Sequence, residues 1–104
     1  MKQTGKLMTM AFVCSLAPGL ALTQPVATGT ITNIFADPDD FVLTLSRAGP
    51  CGSGYFHIRR ANTNFREMVA LSLTAFATGK DMTLFLTPGC AGDRHIVSHG
   101  YASR

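Results

Sequence analysis

The sequence predicts a mainly β domain with one helix, its elements in the order β-β-β-α-β-β, closed as a five-stranded barrel of the OB type. Three observations predict it. Short runs of β-branched and aromatic residues alternate with clusters of Gly, Pro and Asp. The hydrophobic period switches once, to helical spacing, after the third of these runs. The length of 104 residues leaves room for one small domain. A different small α+β sandwich has the same element order and stays open as an alternative.

Thr28–Phe35 (TGTITNIF) reads as the first strand, and Asp37-Pro38-Asp39-Asp40 as the turn after it. Phe41–Ser46 is the second strand, with Phe41, Leu43 and Leu45 on one face. Arg47–Gly54 is a Gly/Pro loop. Tyr55–Arg59 is the third strand, with Phe56 and Ile58 on one side. Asn64 and Glu67 are spaced as a capping box, so a helix starts at Phe65. Phe65, Met68, Val69, Ser72, Leu73 and Phe76 follow its apolar spacing, and Gly79 stops it, giving Phe65–Thr78. Leu71 and Ala75 widen the apolar stripe. Either the helix is wedged deeply into a small core, or the extra surface meets another subunit. Asp81–Leu86 is the fourth strand, Thr87–Arg94 a loop, and His95–Tyr101 the fifth strand.

Residues 1–21 read as a signal peptide and 22–104 as the single domain. Lys2 and Lys6 precede the apolar run Leu7–Leu22, and Gly19 and Ala21 suit a cleavage after Ala21. Pro18 interrupts the run, which is short for the roughly 20 residues of a spanning helix. No membrane span is therefore expected, and the domain is expected in the periplasm or secreted. Past this segment Arg47, Arg59, Arg60, Arg66, Lys80, Arg94 and Arg104 stand against Asp37, Asp39, Asp40, Glu67, Asp81 and Asp93. That near balance gives no electrostatic basis for binding nucleic acid.

Two cysteines remain, Cys51 and Cys90, each in a Gly-rich turn. In an oxidising compartment they are expected to form a disulfide worth roughly 4 kcal/mol by loop closure. Two free thiols are the alternative, and no CxxC redox motif is present.

Catalytic and metal chemistry finds little support. His95 and His99 lie four apart on a strand, about 13 Å from each other, too far for one metal. With His57 they read as surface histidines. The Asp37, Asp39, Asp40 cluster lacks EF-hand spacing and reads as turn formers. Ser53, His57 and Asp93 compose a triad only by chance, with no nucleophile elbow. Arg59-Arg60 reads as a solvated edge, and Cys51-Gly52-Ser53-Gly54 lacks the Lys of a phosphate loop. The expectation is no enzyme and no cofactor.

Thr28-Gly29-Thr30-Ile31-Thr32, Tyr55-Phe56-His57-Ile58 and Phe65–Lys80 followed by Met82-Thr83-Leu84 resemble the B subunits of subtilase-cytotoxin and pertussis-like AB5 toxins. Ala75-Phe76-Ala77-Thr78-Gly79-Lys80 is the most specific block. The resemblance implies an OB-fold subunit, assembly as a homopentamer, and sialylated glycan or a toxin A subunit as partner. In that family a Ser hydroxyl before the Gly that opens the first strand contacts the sugar. The matching ligand-binding position here is Thr28. Two function classes follow: an exported, toxin-B-like binding module, or a periplasmic structural or stress-related OB protein without a soluble ligand.

Overall fold

A computed structural model describes residues 24–104. The segment read as a signal peptide lies outside the described residues. The chain forms β1 (Val26–Ala36), β2 (Asp40–Leu45), β3 (Tyr55–Arg59), α1 (Phe65–Thr78), β4 (Asp81–Leu86) and β5 (His95–Ser103). The strands close a barrel in the order β1-β2-β3-β5-β4. Every neighbouring pair is antiparallel except β3 with β5, which run parallel over a short stretch. The predicted order and the barrel are thus both observed.

Closure depends on β1 serving two partners. Its first half pairs with β4 and its second half with β2. A register shift between Ile31 and Asn33 separates the halves. An extra residue in one strand reverses which side chains point inward beyond it. Ala27, Gly29 and Ile31 therefore face the core, while Phe35, two steps past the shift, faces out beside Val42.

The interior is filled by Leu43, Phe56, Ile58, Met82 and Leu84, all fully buried. Each such side chain contributes about 1.5–3 kcal/mol by leaving water. At Gly100 a Cβ would stand 2.5 Å from the Thr83 carbonyl oxygen, so β5 approaches β4 where no side chain intervenes.

The helix spans the residues its periodicity predicts, but it presents a different face. Met68, Ser72 and Ala75 are buried, and Phe65, Val69 and Leu71 pack partly against the core. Leu73 and Phe76, which the spacing assigns inward, are exposed. Small Ser72 and Ala75 are fully covered where the helix meets the barrel, as close packing there favours. Ser72 satisfies its own hydroxyl by donating to the Met68 carbonyl at 2.7 Å. Ala75 and Leu71 thus belong to the core side, and the surplus apolar surface is Leu73 with Phe76. Gly79 ends the helix in the left-handed region, at φ 70°.

The capping box is not formed. Asn64 makes no side-chain cap bond. Its amide donates instead to the Ser98 carbonyl at 3.0 Å, and Asn62 donates to Val97 at 3.1 Å. These two asparagines tie the entry to α1 onto the edge of β5. Carbonyls of β5 have displaced the local cap as the partners of these side chains.

Candidate functional site

Residues opposite one another in an antiparallel pair share a side of the sheet. On the outer side of β1, β4 and β5 this produces two rows, Val26–Phe85–His99 and Thr28–Thr83–Tyr101. Thr28 is exposed, and its hydroxyl lies 3.0 Å from the Thr83 hydroxyl, which is buried beneath its neighbours. Phe85 stacks on His99 with centroids 4.6 Å apart and planes 9° apart. Tyr101, half exposed, leans against Phe85 at 6.2 Å. The Ser98 hydroxyl lies 3.0 Å from His99 Nδ1. Thr28 thus sits in an amphipathic patch, a pair of hydroxyls beside a shelf of aromatic rings. Such a surface offers ring faces to C–H groups and hydroxyls to polar ones.

The three histidines go to three separate environments. His99 faces outward, as above. His95 is 1% exposed, not a surface residue. A register shift on β5 near Phe85/Leu86 places His99 outside and His95 inside, so the two do not share a face. His57 is largely covered, its Nδ1 3.0 Å from Asp40 Oδ2. Among the described residues no trio of His, Cys, Asp or Glu stands close enough to share a metal. Ser53 accepts a bond from the Tyr55 N–H, and His57 is engaged by Asp40, so neither joins Asp93 in a triad.

Cys51 and Cys90 form a disulfide that joins the β2–β3 and β4–β5 loops, closing 39 positions of chain. His95 lies under it. The Cys51 N–H donates to His95 Nε2 at 2.8 Å, so Nδ1 carries the ring proton and donates to the Tyr55 carbonyl at 3.0 Å.

Asp40 departs from the role its sequence context implies, and Arg60, though exposed, is engaged. Asp40 is buried at the start of β2, not a turn former in solvent. Arg60 donates twice to the Asp37 carbonyl and lies over the Phe65 ring at 5.2 Å, so this Arg is a clamp on the β1–β2 turn. Arg59 Nε stands 3.5 Å from Asp40 Oδ1.

The architecture has a solved counterpart. The chain is similar in fold to the cholera toxin-like B-subunit from Citrobacter freundii. The match has a TM-score of 0.55 at 9% identity and covers 92% of this chain and 100% of that one. No protein-family profile and no curated protein matches the sequence. The likeness is therefore one of fold. No helix among the described residues is long and apolar enough to cross a membrane.

Reading the sequence singled out Thr28 but not Thr83, Phe85, His99 and Tyr101, which surround it. Strand alternation carries the signal for Phe85 and Thr83, both outward between Met82, Leu84 and Leu86. The register that brings them opposite Val26 and Thr28 is a tertiary fact.

Proposed function

We propose that this protein is an exported, non-enzymatic binding module of the toxin-B-subunit type, recognising glycan through the outer face that carries Thr28. The observation that carries this reading is that face: the exposed Thr28 hydroxyl, paired with the buried Thr83 hydroxyl, beside the Phe85–His99 stack and the exposed Tyr101 ring. A barrel tied by a disulfide is consistent with export, with residues 1–21 as the signal that is removed and 22–104 as the domain. The fold likeness to a cholera toxin-like B-subunit, over 92% of this chain, supports the same class. The finer assignment, to the subtilase-cytotoxin and pertussis-like B subunits, rests on the sequence blocks around Thr28, Tyr55 and Ala75–Lys80.

The test is a glycan array on the mature, disulfide-intact protein with Thr28→Val beside it. Valine keeps the shape and removes the hydroxyl. Loss of one net hydrogen bond weakens each site by roughly threefold to tenfold. A blank array with the wild type overturns the reading and leaves the structural, ligand-free alternative.

Assembly is part of the proposal. Leu73 and Phe76, three apart on α1, present an exposed apolar strip. In a homopentamer this strip is the subunit contact, and five weak sites act together. Leu73→Glu with Phe76→Glu is expected to give folded monomers, because neither side chain belongs to the core. Light scattering with chromatography reads the mass, and a wild-type monomer at high concentration defeats the ring. A toxin A subunit is the protein partner such a ring would carry.

A further inference from the structure

The barrel has a second outer face that the Thr28 reading does not use. On β1, β2 and β3 the outward rows are Phe35–Val42–His57 and Asn33–Thr44–Tyr55. Phe35 and Tyr55 are 42% and 51% exposed, with ring centroids 6.2 Å apart and planes tilted by 38°. Val42, 3% exposed, lies on this face with the two rings and His57 around it. Together with Asp37 these residues line an open cleft of about 210 Å³.

Its polar side is built before any ligand arrives. The Asp40 carboxylate, itself buried, holds His57 Nδ1 at 3.0 Å, which fixes the ring and leaves Nε2 as the nitrogen for another partner. Behind the cleft the β1–β2 turn is clamped. Asp37 N–H donates to the Asp40 carbonyl, and Arg60 donates twice to the Asp37 carbonyl. The buried Asp40 carboxylate orients a largely covered imidazole on the side of the sheet away from the barrel core. It holds one polar group in place beside two exposed rings.

We propose that this cleft binds a single neutral sugar ring, its C–H face against Phe35 and Tyr55 and its hydroxyls on His57 and Asp37. The site is distinct from the Thr28 face and stands or falls separately. A volume below the roughly 300–1,000 Å³ of drug-sized pockets suits one ring. Polar and apolar walls side by side match a molecule with hydroxyls at its edge and C–H groups on its face. The acidic rim at Asp37, with Arg60 committed to the turn, disfavours an anionic sugar or a phosphate. The two rings form one tilted wall rather than a cage, so an ammonium ion is not enclosed as strong cation–π binding requires.

The test uses the mature, disulfide-intact protein, labelled with ¹⁵N and titrated with methyl glycosides of galactose, glucose and mannose. The methyl glycoside of N-acetylneuraminic acid and choline are run beside them. At about 10 mM, a suitable range for one small ring, at least one neutral glycoside is expected to shift Phe35, Val42, Tyr55 and His57 together. Tyr55→Ala is expected to weaken that binding by roughly tenfold or more, and Tyr55→Phe by no more than about threefold. Unchanged thermal unfolding of both variants shows that the fold is intact, since Tyr55 is exposed. Three neutral glycosides that leave these resonances still overturn the proposal. So does choline or the acidic sugar shifting them in their place. Shifts confined to Thr28, Thr83 and Tyr101 support the first face and reject this one.

Discussion

Replacing Cys51 and Cys90 together with alanine is expected to lower the unfolding free energy by about 2–5 kcal/mol. The bridge closes 39 positions of chain, a span that contains β3, α1 and β4. In the chain-entropy account a loop of that length corresponds to roughly 4 kcal/mol, because the unfolded chain loses conformations that the native barrel never had. The same bridge joins the two long connections at one end of the barrel. The β4–β5 loop is largely exposed, with a bridge between Ala91 and Arg94 and a Thr87 N–H bond to the Ile96 carbonyl at its base. Small domains have total stabilities of about 5–15 kcal/mol, so this loss is a large share. Urea unfolding of the double variant against oxidised wild type measures it. Wild type under reductant should move by a similar amount, and a difference under about 1 kcal/mol would show that the loops are held by other means.

Most of the fold was legible because periodicity is local. The helix spans Phe65–Thr78 as its spacing predicts, and Tyr55–Arg59 and Asp81–Leu86 have their predicted ends. Of the other three strands, β1 and β2 differ by one or two residues at both ends and β5 by two at its C-terminal end, where pairing partners rather than propensity decide. What sequence could not carry was sidedness past an irregular register. Phe35 and His99 both take their outward positions beyond a shift, in β1 and β5 respectively. Without those shifts, alternation puts His95 and His99 on one face. Asp40 was hidden differently. As the third Asp of a turn cluster it looks like a turn former, yet it begins β2 opposite Arg59 and beside His57. Of the face around Thr28, alternation carries the outward direction of Thr83 and Phe85, but not the pairing that sets them beside Thr28, because their strand lies far along the chain.

His95→Leu is expected to lower stability by about 2–5 kcal/mol, through a cause separate from the covalent bridge. The imidazole is buried and uses both nitrogens, accepting from the Cys51 N–H and donating to the Tyr55 carbonyl. Leucine fills part of the volume but serves neither group. Both backbone groups are part-buried, and a buried group left without a partner costs about 1–3 kcal/mol, an upper bound for each. The Phe56 ring also loses its stacking partner, now 4.6 Å away with planes 19° apart. The site cannot readily relax to compensate, because the loop runs close over the ring: a Cβ at Gly49 would lie 2.5 Å from His95 Nε2 and 2.9 Å from Phe56. His95→Gln is the informative control. Its amide supplies one acceptor and one donor on a side chain of suitable reach, so it should recover part of the loss, where His95→Phe, with a ring but no polar atoms, should not. Urea unfolding of the three variants gives the order, and hydrogen exchange at the Cys51 amide reports the loop directly. Exchange there should accelerate in His95→Leu while the amides of β1 and β4 stay protected. Equal stability of the Leu and Gln variants would mean that the ring acts by packing alone, and an unaccelerated Cys51 amide would mean that the disulfide, not the histidine, holds this loop to the barrel.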